Sequence, residues 1–132
     1  MRTQLSSIVT RRRAWAASLL WMAVIFGFSS LPGSAVPGGV GTYAHFGVYA
    51  ILGALLFVAF SHETPERGRA VAYAVLFGSL YGITDEIHQA FVPGRVPDVV
   101  DWGIDTLGAL AGATLAAIAL KSLMPFGKKS HR

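Results

Sequence analysis

Cysteine is absent from the 132 residues. That excludes disulfides, thiolate metal ligands and a thiol nucleophile, and leaves the cellular compartment open. Charge is nearly as scarce: 14% of residues are Asp, Glu, Lys or Arg against 53% hydrophobic, where soluble domains carry about 25% charged residues. The mean hydropathy is +0.52, and the few charges fall in short blocks. This distribution excludes an ordinary soluble domain and fits a chain that lives in a bilayer. Long loops, linkers and low-complexity segments are also missing, so we read one domain over residues 1–132 with no soluble domain attached.

A bilayer span needs about 20 mostly apolar residues, and four stretches qualify: 14–31, 43–61, 70–91 and 98–124. They predict an all-α fold, a four-helix transmembrane bundle. The first apolar run follows Arg11, Arg12 and Arg13 and precedes the small residues Gly33, Ser34 and Ala35. It exceeds the 7–15 residues of a signal peptide core, so we expect a span. Of the eleven basic residues all but Arg95 lie in the N-terminal tail, at Arg67 and Arg69, or from Lys121 onward. By the positive-inside rule both termini are expected to be cytoplasmic, and the loops 32–42 and 92–97 extracytoplasmic. A net charge of +4 then reflects topology and contact with anionic lipid, and nothing points to nucleic acid.

Against this apolar background residues 81–112 are anomalous. They hold Asp85, Glu86, His88, Gln89, Arg95, Asp98, Asp101 and Asp105, and ionisable residues within spans mark functional sites by default. On the third helix Gly78, Gly82, Asp85 and Gln89 share one stripe, and on the fourth Asp101, Asp105, Gly108 and Gly112 do the same. Glycines so spaced let helices approach closely. Two facing stripes would put glycine against glycine in the inner half and enclose a polar, mainly acidic pocket in the outer half. Between them Val92-Pro93-Gly94-Arg95 predicts a tight turn with positive φ at the glycine. Asp98 is placed to N-cap the fourth helix, and Asp101 to close a capping box or to act as a ligand. No local structural role suggests itself for Asp105.

His45 and Tyr49, four apart on the second helix, lie at the same expected depth. Ser29 and Ser30 end the first helix, where serine hydroxyls commonly bond back to carbonyls one turn earlier. A faint repeat pairs Phe26-Gly27-Phe28-Ser29-Ser30 with Tyr81-Gly82-Ile83-Thr84-Asp85, and His45-Phe46-Gly47-Val48-Tyr49 with Asp101-Trp102-Gly103-Ile104-Asp105. It would bring Ser29, Ser30, His45 and Tyr49 into the outer cavity as well.

The order His45, then Asp85-Glu86-x-His88-Gln89-x-Phe91-x-Pro93-Gly94-Arg95, then Asp101 and Gly108 resembles the VanZ-like family of small integral membrane proteins, and the likeness extends over nearly the whole chain. It departs at Asp105, where Asn is expected at least as often, which leaves the charge there dispensable. The resemblance implies an association with resistance to teicoplanin, a glycopeptide acting on cell-wall precursors outside the membrane, and implies no mechanism.

Two functions from different classes fit these residues. In the first, a non-enzymatic envelope protein of the bacterial cytoplasmic membrane binds an outer-leaflet lipid or cell-wall precursor through His45, Asp85, Glu86, His88, Gln89, Arg95, Asp101 and Asp105. In the second, a metal-dependent intramembrane enzyme holds a divalent cation on Asp85, Glu86, Asp101 and Asp105. His45, Asp85, Glu86 and His88 are then the catalytic candidates and Arg95 an anion clamp. A third, structural alternative pairs Asp85 or Glu86 with Arg95, Gln89 with Asp105 and His88 with Asp101.

Overall fold

The computed structural model describes residues 9–38, 41–124 and 126. The charged residues Arg2, Lys128, Lys129 and Arg132, used above for topology, lie outside them. Four α-helices follow in order: α1 Arg11–Ser29, α2 Gly41–Phe60, α3 Arg67–Gln89 and α4 Val99–Ala119. A single 3-10 turn, Gly33–Ala35, follows α1. Among the described residues there is no strand.

Local chemistry marks several of the helix ends. Thr10 caps α1, its side chain accepting from the Arg13 N–H, and Asp98 caps α4, accepting from Val100 N–H at 2.8 Å. Before Pro93 α3 stops at Gln89, because the backbone ahead of a proline disfavours helix. The turn beyond it forms as predicted, with Gly94 at φ +74° and Arg95 N–H bonded to Val92 O at 3.1 Å.

The fourth helix ends at Ala119 and not at the expected Met124. Its chain turns back after Leu120, with Met124 buried on the core. Arg67 braces this ending. Its guanidinium donates to Ala117 O at 3.2 Å and to Met124 O at 2.8 Å, satisfying carbonyls that a helix end leaves open, and it lies 5.1 Å from the centre of the Phe126 ring. A residue that the sequence marks only as a topology signal is thus the C-terminal clamp of α4.

The most extensive packing is α2 against α4, with α3 covering both and α1 resting mainly on α2. Glycines make this possible. A Cβ on Gly112 would stand 1.7 Å from Ala50 O, one on Gly108 2.6 Å from Phe46 O, and one on Gly53 2.2 Å from Ala109 O. The expected meeting of glycine with glycine between α3 and α4 is therefore corrected. The α4 glycines face the α2 backbone, while Gly78 and Gly82 of α3 receive Ala109 and the Trp102 and Asp105 side chains. Both stripes are used, but α4 lies between α2 and α3 and shows each a different edge.

The core is Tyr49, Leu52, Leu56, Phe57, Ala70, Ala74, Ala109 and Ala113. Outside it, large apolar side chains are exposed along every helix, among them Leu20 and Phe28 of α1, Ile51 of α2, Leu76 and Ile87 of α3, and Leu115 and Ile118 of α4. Two helices, Gly41–Phe60 and Val99–Ala119, are long and apolar enough to cross a membrane.

Candidate functional site

At one end of the bundle α1, α2, α3 and α4 bring their polar residues to two buried carboxylates. Asp85, on the inward stripe of α3, is surrounded by neutral donors. Ser29 Oγ and Tyr49 OH each donate to one of its oxygens, Tyr49 at 3.0 Å, and Gln89 Nε2 reaches Oδ1 at 3.5 Å. Three helices thus converge on one side chain, and its oxygens are met by neutral donors with no cationic partner among the described residues. Asp105 of α4 is 0% exposed and pairs with a different kind of group. His45 Nδ1 lies 2.6 Å from its Oδ1, while Oδ2 is buried with no hydrogen-bond partner among the described residues. His45 is thus the partner that the local sequence around Asp105 could not provide.

Glu86 sits one residue on, facing the turn. Its Oε2 accepts the Asp98 N–H at 2.9 Å, and its Oε1 is buried without a partner among the described residues. In a capping box the Asp98 N–H would be taken by Asp101, three residues on; Glu86 takes it from another helix, and the Asp101 carboxylate has no hydrogen-bond partner among the described residues. His88 lies elsewhere, stacked on Phe26 at 4.2 Å between centroids with Nε2 3.3 Å from Ser30 Oγ.

The pairs expected of a purely structural network are not those observed. Asp85 bonds Ser29, Tyr49 and Gln89, Asp105 bonds His45, His88 bonds Ser30, and Arg95 forms no ion pair among the described residues. Of the two serines, Ser30 bonds back to Phe26 O at 2.8 Å as such residues commonly do, while Ser29 is diverted to Asp85.

A cavity of about 700 Å³ opens beside this network, between the end of α1, the segment after it, the start of α2 and the end of α3. His45, Asp85, Gln89, Arg95 and Asp101 are on its wall, and Glu86, His88 and Asp105 are not. The expectation of a mainly acidic pocket between α3 and α4 is corrected accordingly. Gly82 lets Trp102 and Asp105 close the α3–α4 contact, and residues 31–38 supply an apolar roof including Leu31, Val36 and Pro37. The roof is stitched to the α3–α4 turn by Gly33 N–H donating to Pro93 O at 2.9 Å.

These features define a class: a small helical bundle, apolar on its outer surface, that buries a carboxylate and histidine network at one end beside a cavity. The family model described as VanZ/LLP1 matches residues 4–120, and the chain belongs to that family. No curated protein and no solved structure matches it.

Proposed function

We propose that this VanZ/LLP1 protein is a multi-pass integral protein of the bacterial cytoplasmic membrane, with four spans and cytoplasmic termini, whose cavity receives the polar part of an envelope ligand at the outer face. The cavity carries the reading. Its volume suits a small ligand or lipid head group, its wall combines Arg95 with Asp85, Asp101 and Gln89, and it lies at the end of a bundle whose flanks expose Leu20, Ile51, Leu76 and Leu115. Large apolar side chains exposed on all four helices are matched to lipid. Arg95 lies at that end while Arg67 and Arg69 lie at the other, which supports the orientation. The family resemblance links the ligand to teicoplanin action, so an outer-leaflet lipid or cell-wall precursor is the proposed partner.

The absence of native cysteine makes the test direct. Single cysteines replacing Val96 and His62 are treated in intact cells with a membrane-impermeant thiol reagent; we expect Val96→Cys to be labelled and His62→Cys to be protected. The reverse pattern overturns the orientation. For the ligand, expression in a teicoplanin-susceptible host should raise tolerance, and Arg95→Ala and Ala44→Trp, which alter the cavity wall, should abolish the rise while the protein still accumulates. Unchanged tolerance in both variants overturns the cavity reading.

A second reading, a metal-dependent intramembrane enzyme acting on an outer-leaflet lipid or lipid-linked precursor, is favoured by one observation. His45 is held through Nδ1 by Asp105, the relation of a general base to its orienting carboxylate. Turnover of a lipid-linked substrate by purified protein, lost in His45→Gln, would establish it.

A further inference from the structure

The polar end is over-supplied with negative charge. Asp85, Glu86, Asp98, Asp101 and Asp105 stand against Arg95, and among the described residues the one short contact there between a carboxylate and a basic side chain is that of His45 with Asp105. Local hydrogen bonds account for Asp85, saturated by Ser29, Tyr49 and Gln89, and for Asp98, the cap of α4. They satisfy only Oε2 of Glu86, whose buried Oε1 has no partner among the described residues, and none of them reaches the Asp101 side chain.

Possible ligand atoms of His45, Glu86 and Asp101 lie within 4.8 Å of one another. Ligand atoms around one ion at metal–ligand distances of about 2.1 Å are no more than about 4.2 Å apart, so a small side-chain rotation closes the set; Asp101 is half-buried on the first turn of α4. Existing contacts prepare each residue for the role. His45 has Nδ1 committed to Asp105, which leaves Nε2 for an ion and reproduces the carboxylate–histidine–metal relation that fixes a ligating imidazole. Glu86 is held by the Asp98 N–H through Oε2, which leaves the buried Oε1, without a partner among the described residues, as the ligating atom. Asp101 is released from the capping box by that same bond.

A second trio, His45, Asp85 and Asp105, also lies within 4.8 Å. It is the poorer site, because a cation there would compete with the three donors already on Asp85 and with the His45 bond to Asp105.

We infer that His45, Glu86 and Asp101 bind one divalent transition-metal ion at the polar end of the bundle, with Asp105 as the residue that orients His45. One imidazole and two carboxylates suit Mn²⁺ or Zn²⁺ better than Mg²⁺ or Ca²⁺ and leave coordination positions for water or an oxygen ligand. His45 and Asp101 also line the cavity, so those positions open into it. The site does not depend on the identity of the cavity's ligand.

The test uses the purified full-length protein in detergent, titrated with Mn²⁺ or Zn²⁺ alone by calorimetry, with pulsed electron paramagnetic resonance on the Mn²⁺ form. One ion per chain is expected, with imidazole nitrogen coupling that disappears in His45→Gln, and affinity falling at least tenfold in both Glu86→Gln and Asp101→Asn. Ser79→Ala, seven residues before Glu86 on α3 and bonded through its side chain to Thr106 rather than to the trio, should bind as the parent does. Should Glu86→Gln fail to fold, Asp101→Asn decides, since Asp101 makes no hydrogen bond through its side chain among the described residues. No binding of either ion by the folded parent, or undiminished binding in Asp101→Asn, overturns the site. Because only the metal is added, that failure leaves the head-group cavity standing.

Discussion

The contact between α2 and α4 and the attachment of α1 are built on opposite principles. Along α2 and α4 the helices meet backbone to backbone, through Gly53, Gly108 and Gly112, and the fit depends on side chains that are missing. The first helix is held instead by side chains at specific points. Trp21 Nε1 donates to Val48 O at 2.8 Å, Ser29 and Ser30 reach Asp85 and His88, Tyr81 OH reaches Met22 O, and at the other end Arg11 and Trp15 grip Glu63. A seam of the first kind has one arrangement, since close-packed backbones cannot slide without collision. Point attachments can be released one at a time, and the cavity lies on the side that has them.

The largest effect is therefore expected at the seam. Gly112→Ala puts a methyl carbon where Ala50 O already stands, and should cost about 3 kcal/mol through overpacking, seen as a lowered melting temperature in detergent and a poor folded yield. A neutral result would mean that α2 and α4 can separate. Next comes Ser29→Ala, which removes a hydrogen bond to a buried carboxylate and should cost about 1.5 kcal/mol. Here the readout that matters is local: amide exchange should rise at the end of α1 and not in α4. Equal increases in both would erase the distinction drawn between them.

The smallest effect is expected at the opposite end of α1. Arg11 lies 2.6 Å from Glu63, and its hydrogen bond, seconded by that of Trp15, holds the Glu63 carboxyl below the usual carboxylate range. A carboxyl depressed by folding stabilises the fold above its unfolded pKa, and that contribution is lost as pH falls through the folded pKa. Acidification should therefore increase amide exchange at the start of α1 only below the ordinary glutamate range. The change should be small, because the pair is exposed and screened, and Glu63→Gln should show it at neutral pH.

The helices were legible because apolar length and short loops leave few alternatives, and the polar cluster because eight polar residues in an apolar chain cannot be mistaken. What could not be read was which residue meets which. Asp105 finds His45 sixty positions away, the Asp98 N–H finds Glu86 rather than its own helix, and Arg67 finds Ala117. In each case the partner depends on how one helix is rotated against another. A glycine stripe marks a close contact without naming its other side, which is why the stripes of α3 and α4 suggested each other when Gly108 and Gly112 in fact receive α2. The faint repeat placed Ser29, Ser30, His45 and Tyr49 with the two aspartates; Ser29, Tyr49 and His45 do bond them, while Ser30 turns to Phe26 O and His88.

The stitch between Gly33 and the turn at Pro93 and Gly94 joins the connection leaving α1 to the connection entering α4. A Cβ on Gly33 would lie 2.0 Å from Gly94 O, and one on Gly94 3.2 Å from Gly33 N. Neither loop can therefore be altered alone at this point. The ceiling of the cavity is one object made from two distant pieces of chain, joined where a glycine stands on each side of the contact.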